Sequence, residues 1–210
     1  MKLNENAFAS HGMEISSDKR RASVLIPLVE INGEDHILFE VRSSHIRQPH
    51  EISFPGGRNE EGESTEETAV RECMEELLIR KEDIQMICPL YTIQGPRGIM
   101  VSSYLGRLNN YQNTYSSSEV DHVFTVPLET LVNEIPETGS GEYVFQGEDS
   151  FPYEYIPHGR EYPFSPIKRT FLFYKTDGGI IWGLTADLLY LFLSLLKEKT
   201  IKNPQSCGSE

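Results

Sequence analysis

The sequence predicts an α+β domain in which a mixed β-sheet packs against helices. Three observations predict it. Apolar-rich segments of strand length recur over residues 23–126, the first two joined across Asn32-Gly33. A helical period of apolar residues begins just after Ser64. A strongly apolar run over 180–196, interrupted by Thr185 and Asp187, reads as a buried C-terminal helix, because a membrane span needs roughly 20 apolar residues.

The elements follow in order. Strands are expected over 23–30 and 36–42, because Asn-Gly supplies the two positive-φ positions of a tight hairpin. Ser64 is a good helix N-cap and Glu67 stands three residues on, so a capping box opens a helix that runs to about residue 79. On that helix Ala69, Val70, Cys73 and Leu77 form an apolar stripe, and Glu72, Glu75 and Glu76 share another face. Strands over 86–94 and 99–108 are separated by the turn residues Gly95-Pro96-Arg97-Gly98. Residues 123–126 continue the sheet, and Pro127 is placed to start a short helix through about residue 135. Residues 136–166 are rich in Gly, Pro and aromatics and have little period, which predicts a long excursion, either plain surface or a wall of a pocket. Within it Tyr153, Tyr155 and Tyr162 either stack on a nucleobase or pin the loop to the core. The chain is read as one domain over 1–210, with an N-terminal extension to about 20 and a flexible tail from about 200.

Composition narrows the partners. A net charge of −13 argues against nucleic acid and anionic membranes, which require basic surfaces. The odd set Cys73, Cys88 and Cys207 has no Cys-x-x-Cys pairing and fits a reducing compartment. With no basic, apolar leader at the start, the expected location is cytoplasmic. A homodimer is left open. None of the six histidines has a metal-ligand spacing partner, and His50 is singled out only for its position beside Phe54-Pro55-Gly56-Gly57.

The acidic face of the 64–79 helix has two readings. Arg71 stands four before Glu75 and Arg80 four after Glu76, so the face is either a solvated surface with exposed ion pairs or a cation site. Like charges at these spacings oppose the helix unless something positive lies between them, and oxygen-only ligands suit Mg²⁺ or Mn²⁺ rather than zinc.

The surrounding residues bear on that choice. Gly57, Glu63, Arg71, Glu72, Glu75 and Glu76 occur at the spacing of the signature of the Nudix hydrolases, with Cys73 and Ile79 in its apolar slots, and the segment closely resembles that signature. The resemblance implies an α/β/α sandwich with the mixed sheet between helices, and hydrolysis of a nucleoside diphosphate linked to another group. It implies that Glu72, Glu75 and Glu76 carry Mg²⁺ or Mn²⁺, with the Gly56 carbonyl completing the shell. Glu63 is expected to pair with Arg71 and fix the helix to the loop. Glu119, in Ser-Ser-Ser-Glu119-Val-Asp121, is the candidate general base; a solvated loop carboxylate is its alternative. The signature's second Gly is replaced by Leu78, so either Leu78 is strained or the helix runs on, and an altered helix exit is expected.

The stretch from Leu38 through Arg42-Ser43 and Arg47 to Phe54-Pro55-Gly56-Gly57, together with Ile181-Trp182-Gly183-Leu184-Thr185-Ala186, resembles the coenzyme A pyrophosphatases of that family. Those usually place a Gly between the basic residue and Phe-Pro-Gly-Gly, where this chain has His50 and Glu51 and one residue fewer. The implied substrate is coenzyme A or an acyl derivative, cleaved to 3',5'-ADP and 4'-phosphopantetheine, with Arg42, Arg47 and Arg58 holding phosphates. ADP-ribose or another nucleotide sugar is the alternative substrate, and a non-catalytic nucleotide-binding module the alternative of another kind.

Overall fold

A computed structural model describes residues 21–95 and 98–202. The expected N-terminal extension, the Pro96-Arg97 pair and the tail beyond residue 202 lie outside the described residues. Strands β1 (Arg21–Ile31) and β2 (Glu34–Arg42) form the predicted hairpin, with Asn32 at φ 55° and Gly33 at φ 84°. Short strands β3 (Ile52–Ser53) and β4 (Gly56–Arg58) add to β2 and β1, and β5 (Ile84–Gln94), β6 (Met100–Leu108) and β7 (Val120–Pro127) complete a seven-stranded sheet. The path runs β3-β2-β1-β6-β5, with β7 on β2. The β1–β6 pairing is parallel and the others antiparallel, so the sheet is mixed as expected.

Two prolines sit where this sheet tolerates them. Pro89 lies in β5, the end of the strand path, between two irregularities in its pairing with β6. Pro27 lies in the central strand β1, but between the residues paired with β4 (22–24) and those paired with β2 (28–31), where a missing N–H breaks no ladder bond on that side.

Helices cover both faces. The α1 helix (Thr65–Leu77) lays Ala69, Cys73 and Leu77, all fully buried, on Leu25, Val29, Leu38 and Tyr104. On the other face α2 (Leu128–Asn133) and α3 (Gly183–Lys202) pack Leu131, Leu189, Phe192 and Leu193 against Ile26, Ile37 and Phe39. Neighbouring residues such as Leu25 and Ile26, or Leu38 and Phe39, thus enter opposite cores, the signature of a sheet buried on both faces. This is the expected α/β/α sandwich. Among the described residues, no helix is long and apolar enough to cross a membrane.

The 136–166 reading needs correction. Residues Glu137–Tyr143 form β8, which pairs with β9 (Ile167–Thr176), and β9 pairs with β10 (Gly179–Trp182) in a second, antiparallel sheet. The strand is hidden in the sequence because Glu-Thr-Gly-Ser-Gly-Glu-Tyr has no apolar alternation. Its partner supplies the apolar surface: the rings of Phe173 and Phe171 lie over Gly139 and Gly141, where a Cβ would stand 3.2 and 3.0 Å from them. The rest of the excursion packs on itself, Phe145 and Phe151 against Phe164, Tyr153 on Phe151 and Tyr162 on Phe164, while Tyr155 is exposed. The C-terminal helix starts at Gly183 rather than 180, because residues 179–182 are β10. Asp187, one of its two polar interruptions, bonds Arg169 of β9 at 2.6 Å.

Helix α1 also departs from expectation. It ends at Leu77, and Leu78 takes the left-handed conformation (φ 51°, ψ 41°), so the exit is not altered: a leucine adopts the backbone a glycine would supply. Its side chain is 59% exposed, so no burial offsets the steric cost of roughly 1 kcal/mol. Replacing Leu78 by Gly is expected to stabilise the fold by up to about 0.6 kcal/mol after the entropy of the unfolded glycine is deducted. Thermal unfolding should show Tm rising by up to about 2 °C for a domain of this size, and a fall would contradict the strain assignment.

Candidate active site

The site is built where the second half of α1 meets the Gly56-Gly57 strand. The capping box forms as predicted, Glu67 N–H donating to Ser64 Oγ at 3.2 Å and Ser64 N–H to Glu67 Oε2 at 2.9 Å. One turn on, Arg71 reaches back over the preceding loop. Its Nε and Nη2 donate to the two oxygens of Glu63 at 2.8 and 3.1 Å, and Nη2 also donates to the Arg58 carbonyl at 3.1 Å. Its Nη1 donates to Glu72 at 2.9 Å and to Glu75 at 3.1 Å. The Arg71 side chain is 25% exposed, so this is not a solvated surface pair. Hydrogen bonds from Arg71 and Thr68 hold the Glu63 carboxyl down at about 2. Arg80 turns away from Glu76 and pairs with Asp83 at 2.7 Å and Glu82 at 3.2 Å.

The glycines allow close approach. A Cβ on Gly56 would stand 2.3 Å from the Ser23 carbonyl of β1, and one on Gly57 would stand 2.3 Å from Glu72 Oε1. The Gly56 N–H donates to Glu76 Oε2 at 2.7 Å. Glu76 is otherwise buried, and burial first, then the charge of Glu40, push its carboxyl up to about 9. Glu72 is half-buried and is also raised, mainly by burial, with Arg71 pulling the other way. Glu75 is more than half exposed at the rim.

Glu40 belongs to this cluster and was missed in the sequence. It shares a face of β2 with Leu38, the face toward α1, and is fully buried. Its Oε1 accepts from Ser53 Oγ at 2.9 Å, and its Oε2 has no hydrogen-bond partner. Burial lifts its carboxyl to about 7; Ser53 and Arg42 oppose this, and Glu119 and Glu72 add to it. A glutamate in the middle of the apolar strand Ile37-Leu38-Phe39-Glu40-Val41 was the available signal.

The remaining predicted residues divide. Glu119 is exposed, its carbonyl accepts from Ser43 N–H at 2.8 Å, and its charge acts on both Glu40 and Glu72, so the structure brings it to the cluster. Arg42 stands 3.9 Å from Glu40, and its Nε donates to the Arg47 carbonyl at 3.1 Å. The Arg47 and Arg58 side chains are exposed. His50 sits in the left-handed region at φ 61°, in the loop where coenzyme A pyrophosphatases usually carry a Gly.

Among the described residues, no three acidic, histidine or cysteine side chains already surround one cation position. Yet the donors fit a divalent ion. They are all oxygen, several are buried, one is unpartnered, and Arg71 and Arg42 leave them with excess negative charge. Glu72 and Glu76, with the Gly56 strand beside them, are the residues to hold it.

A cavity of about 570 Å³ opens on the face of β2 that carries Phe39 and Val41, lined by His50, Glu51 and Ile52, by His122 of β7, and by Phe173, Ile180 and Trp182 of the second sheet. The Phe173 and Trp182 rings are parallel within 6°. Thr185 Oγ1 donates to the Ile52 carbonyl at 3.0 Å and ties α3 to this wall. Another cavity, about 540 Å³, is lined by residues such as Leu128, Val132 and Leu196, across the sheet from the carboxylates.

Comparison with known proteins agrees with this geometry. Residues 19–161 match the family described as NUDIX domain. The chain is 31% identical over 193 residues to Nudix hydrolase 3 of Caenorhabditis elegans, covering 86% of this chain and 75% of that protein. It is 28% identical over 193 residues to the mitochondrial coenzyme A diphosphatase NUDT8 of Homo sapiens, covering 89% and 73%. A MutT/nudix family protein from Enterococcus faecalis shares the fold at 14% identity and a TM-score of 0.51, over 94% of this chain and 70% of that one.

Raised carboxyls make the metal-free fold sensitive to base. From the ordinary value of 4.5 up to about 7 for Glu40 and about 9 for Glu76, each group binds its proton in the folded state and releases it in the unfolded one. Stability therefore falls as pH rises through that window. With a chelator present, Tm should decline between about pH 5 and pH 9, and a divalent ion should restore most of the loss at the alkaline end. A flat or rising profile in chelator would contradict the buried carboxyl assignment.

Proposed function

The chain belongs to the Nudix family, and from that premise we propose that this Nudix hydrolase cleaves the diphosphate of coenzyme A or its acyl derivatives. Water is added across the anhydride, giving 3',5'-ADP and 4'-phosphopantetheine or its acyl form. The observation that carries the substrate is the meeting of two segments 133 residues apart. The loop before Phe54-Pro55-Gly56-Gly57 and the segment Ile181–Ala186, both similar to coenzyme A pyrophosphatases, are joined by the Thr185–Ile52 hydrogen bond and together wall the 570 Å³ cavity. That volume suits one end of a large ligand, and the Phe173–Trp182 face suits an adenine or an apolar chain. The 28% identity to a coenzyme A diphosphatase supports the same reading.

The chemistry is charge neutralisation and positioning. Mg²⁺ or Mn²⁺ held by Glu72, Glu75 and Glu76 and the Gly56 carbonyl would neutralise phosphate oxygens and lower the pKa of a water. Arg71 fixes the carboxylates and, through Glu63, the loop before α1. Glu119 accepts the proton of the attacking water. Arg42 and the exposed Arg47 and Arg58 engage the phosphates that the −13 protein otherwise repels.

Two measurements test this. Mass spectrometry of products from coenzyme A, ADP-ribose and NADH, each with Mg²⁺ or Mn²⁺ and beside Glu76→Gln, should show metal-dependent 4'-phosphopantetheine that the variant does not form. Preferential cleavage of ADP-ribose or NADH would overturn the substrate while keeping the chemistry. Gly57→Ala places a methyl where Glu72 Oε1 now lies and forces that carboxylate off Arg71. Turnover should fall about 10–100-fold, as for other groups that orient metal ligands, with little change in Tm; full activity would contradict the cradle.

A further inference from the structure

Among the described residues, Glu40 is a fully buried carboxylate with an oxygen that no donor meets. A fully buried carboxylate with one unsatisfied oxygen costs stability unless a positive partner completes it. The groups around it are specified. Ser53, across the β2–β3 pairing, donates to Oε1 and orients the carboxylate, and the nearest guanidinium, Arg42, stands 3.9 Å from that same Oε1. Oε2 faces no donor, and Glu40 is the strongest charged influence on Glu76. Two carboxylates so placed repel each other, and the Gly56 N–H meets only one Glu76 oxygen, Oε2.

We infer that Glu40 is an inner ligand of the metal site, its free Oε2 sharing a divalent cation with Glu76. The inference rests on the metal-dependent reading above. It adds a ligand from β2 to a set that otherwise comes from α1 and the glycine strand. A cation there satisfies the orphaned oxygen, relieves the repulsion with Glu76, and gives Ser53 a purpose, since that hydroxyl fixes which oxygen points at the ion. The hard oxygen pair suits Mg²⁺ or Mn²⁺.

The test uses Mn²⁺ itself on the full chain, without substrate. Bound Mn²⁺ is counted by electron paramagnetic resonance, and Tm is followed with and without the ion, for the native chain, Glu40→Gln and Glu76→Gln. Glu40→Gln keeps the shape and removes the buried charge, so in chelator it should melt at or above the native Tm. With Mn²⁺ the order should reverse, with affinity lowered about tenfold or more and most of the ion-induced Tm rise lost. A structural role alone would not produce that crossing. Native-like Mn²⁺ affinity and Tm rise in Glu40→Gln would overturn the inference and leave the proposed function standing, whereas a native chain that binds no Mn²⁺ would overturn both. Should Glu40→Gln fail to fold, Ser53→Ala keeps the carboxylate and frees its orientation; Mn²⁺ affinity should weaken several-fold, and unchanged affinity would overturn the inference.

Discussion

The guanidinium of Arg71 links the loop before α1 to the acidic face of the helix itself. Its fork takes both oxygens of Glu63, and its other edge takes Glu72 and Glu75, so one planar cation sets three carboxylates and the Arg58 carbonyl in fixed relation. A lysine has no planar fork and could not do this. The rest of the site depends on that geometry. With Glu72 held, Gly57 must lack a side chain; with the glycine strand drawn against β1 and α1, the Gly56 N–H reaches Glu76.

The same arrangement sets stability against chemistry. Burying Glu40 and Glu76 near each other raises both carboxyls, which is unfavourable for a folded protein at neutral pH and favourable for a site that must hold a cation against a polyphosphate. The sandwich tolerates this because both faces of the sheet are otherwise packed with aliphatic and aromatic side chains, including the stacked Phe39, Phe54 and Phe124 directly behind the site. Strand β2 carries both roles at once, Phe39 toward the apolar core and Glu40 toward α1.

Much of this was legible in the sequence because it is local. The capping box, the apolar stripe of α1, the Asn32-Gly33 hairpin and the signature spacing are all short-range patterns, and each formed. What was not legible depends on partners distant in the chain. Strand β8 is polar and glycine-rich and exists because Phe171 and Phe173 cover it. Glu40 reads as one charge in a strand until α1 and Ser53 are placed around it. Leu78 and His50 are a third kind: both stand where the resembled motifs usually have a glycine, and both take a left-handed backbone, at φ 51° and 61°. The left-handed backbone forms there without the residue that makes it easy, so residue identity alone misjudged the helix exit.

The proposed chemistry centres on a divalent ion between the acidic face of α1 and the Gly56-Gly57 strand. The most direct measurement is the anomalous difference map of crystals soaked in Mn²⁺. A strong peak is expected within coordination distance of Glu76 and Glu72. A peak only at exposed carboxylates away from α1, such as Glu137, or none at saturating Mn²⁺, would contradict this.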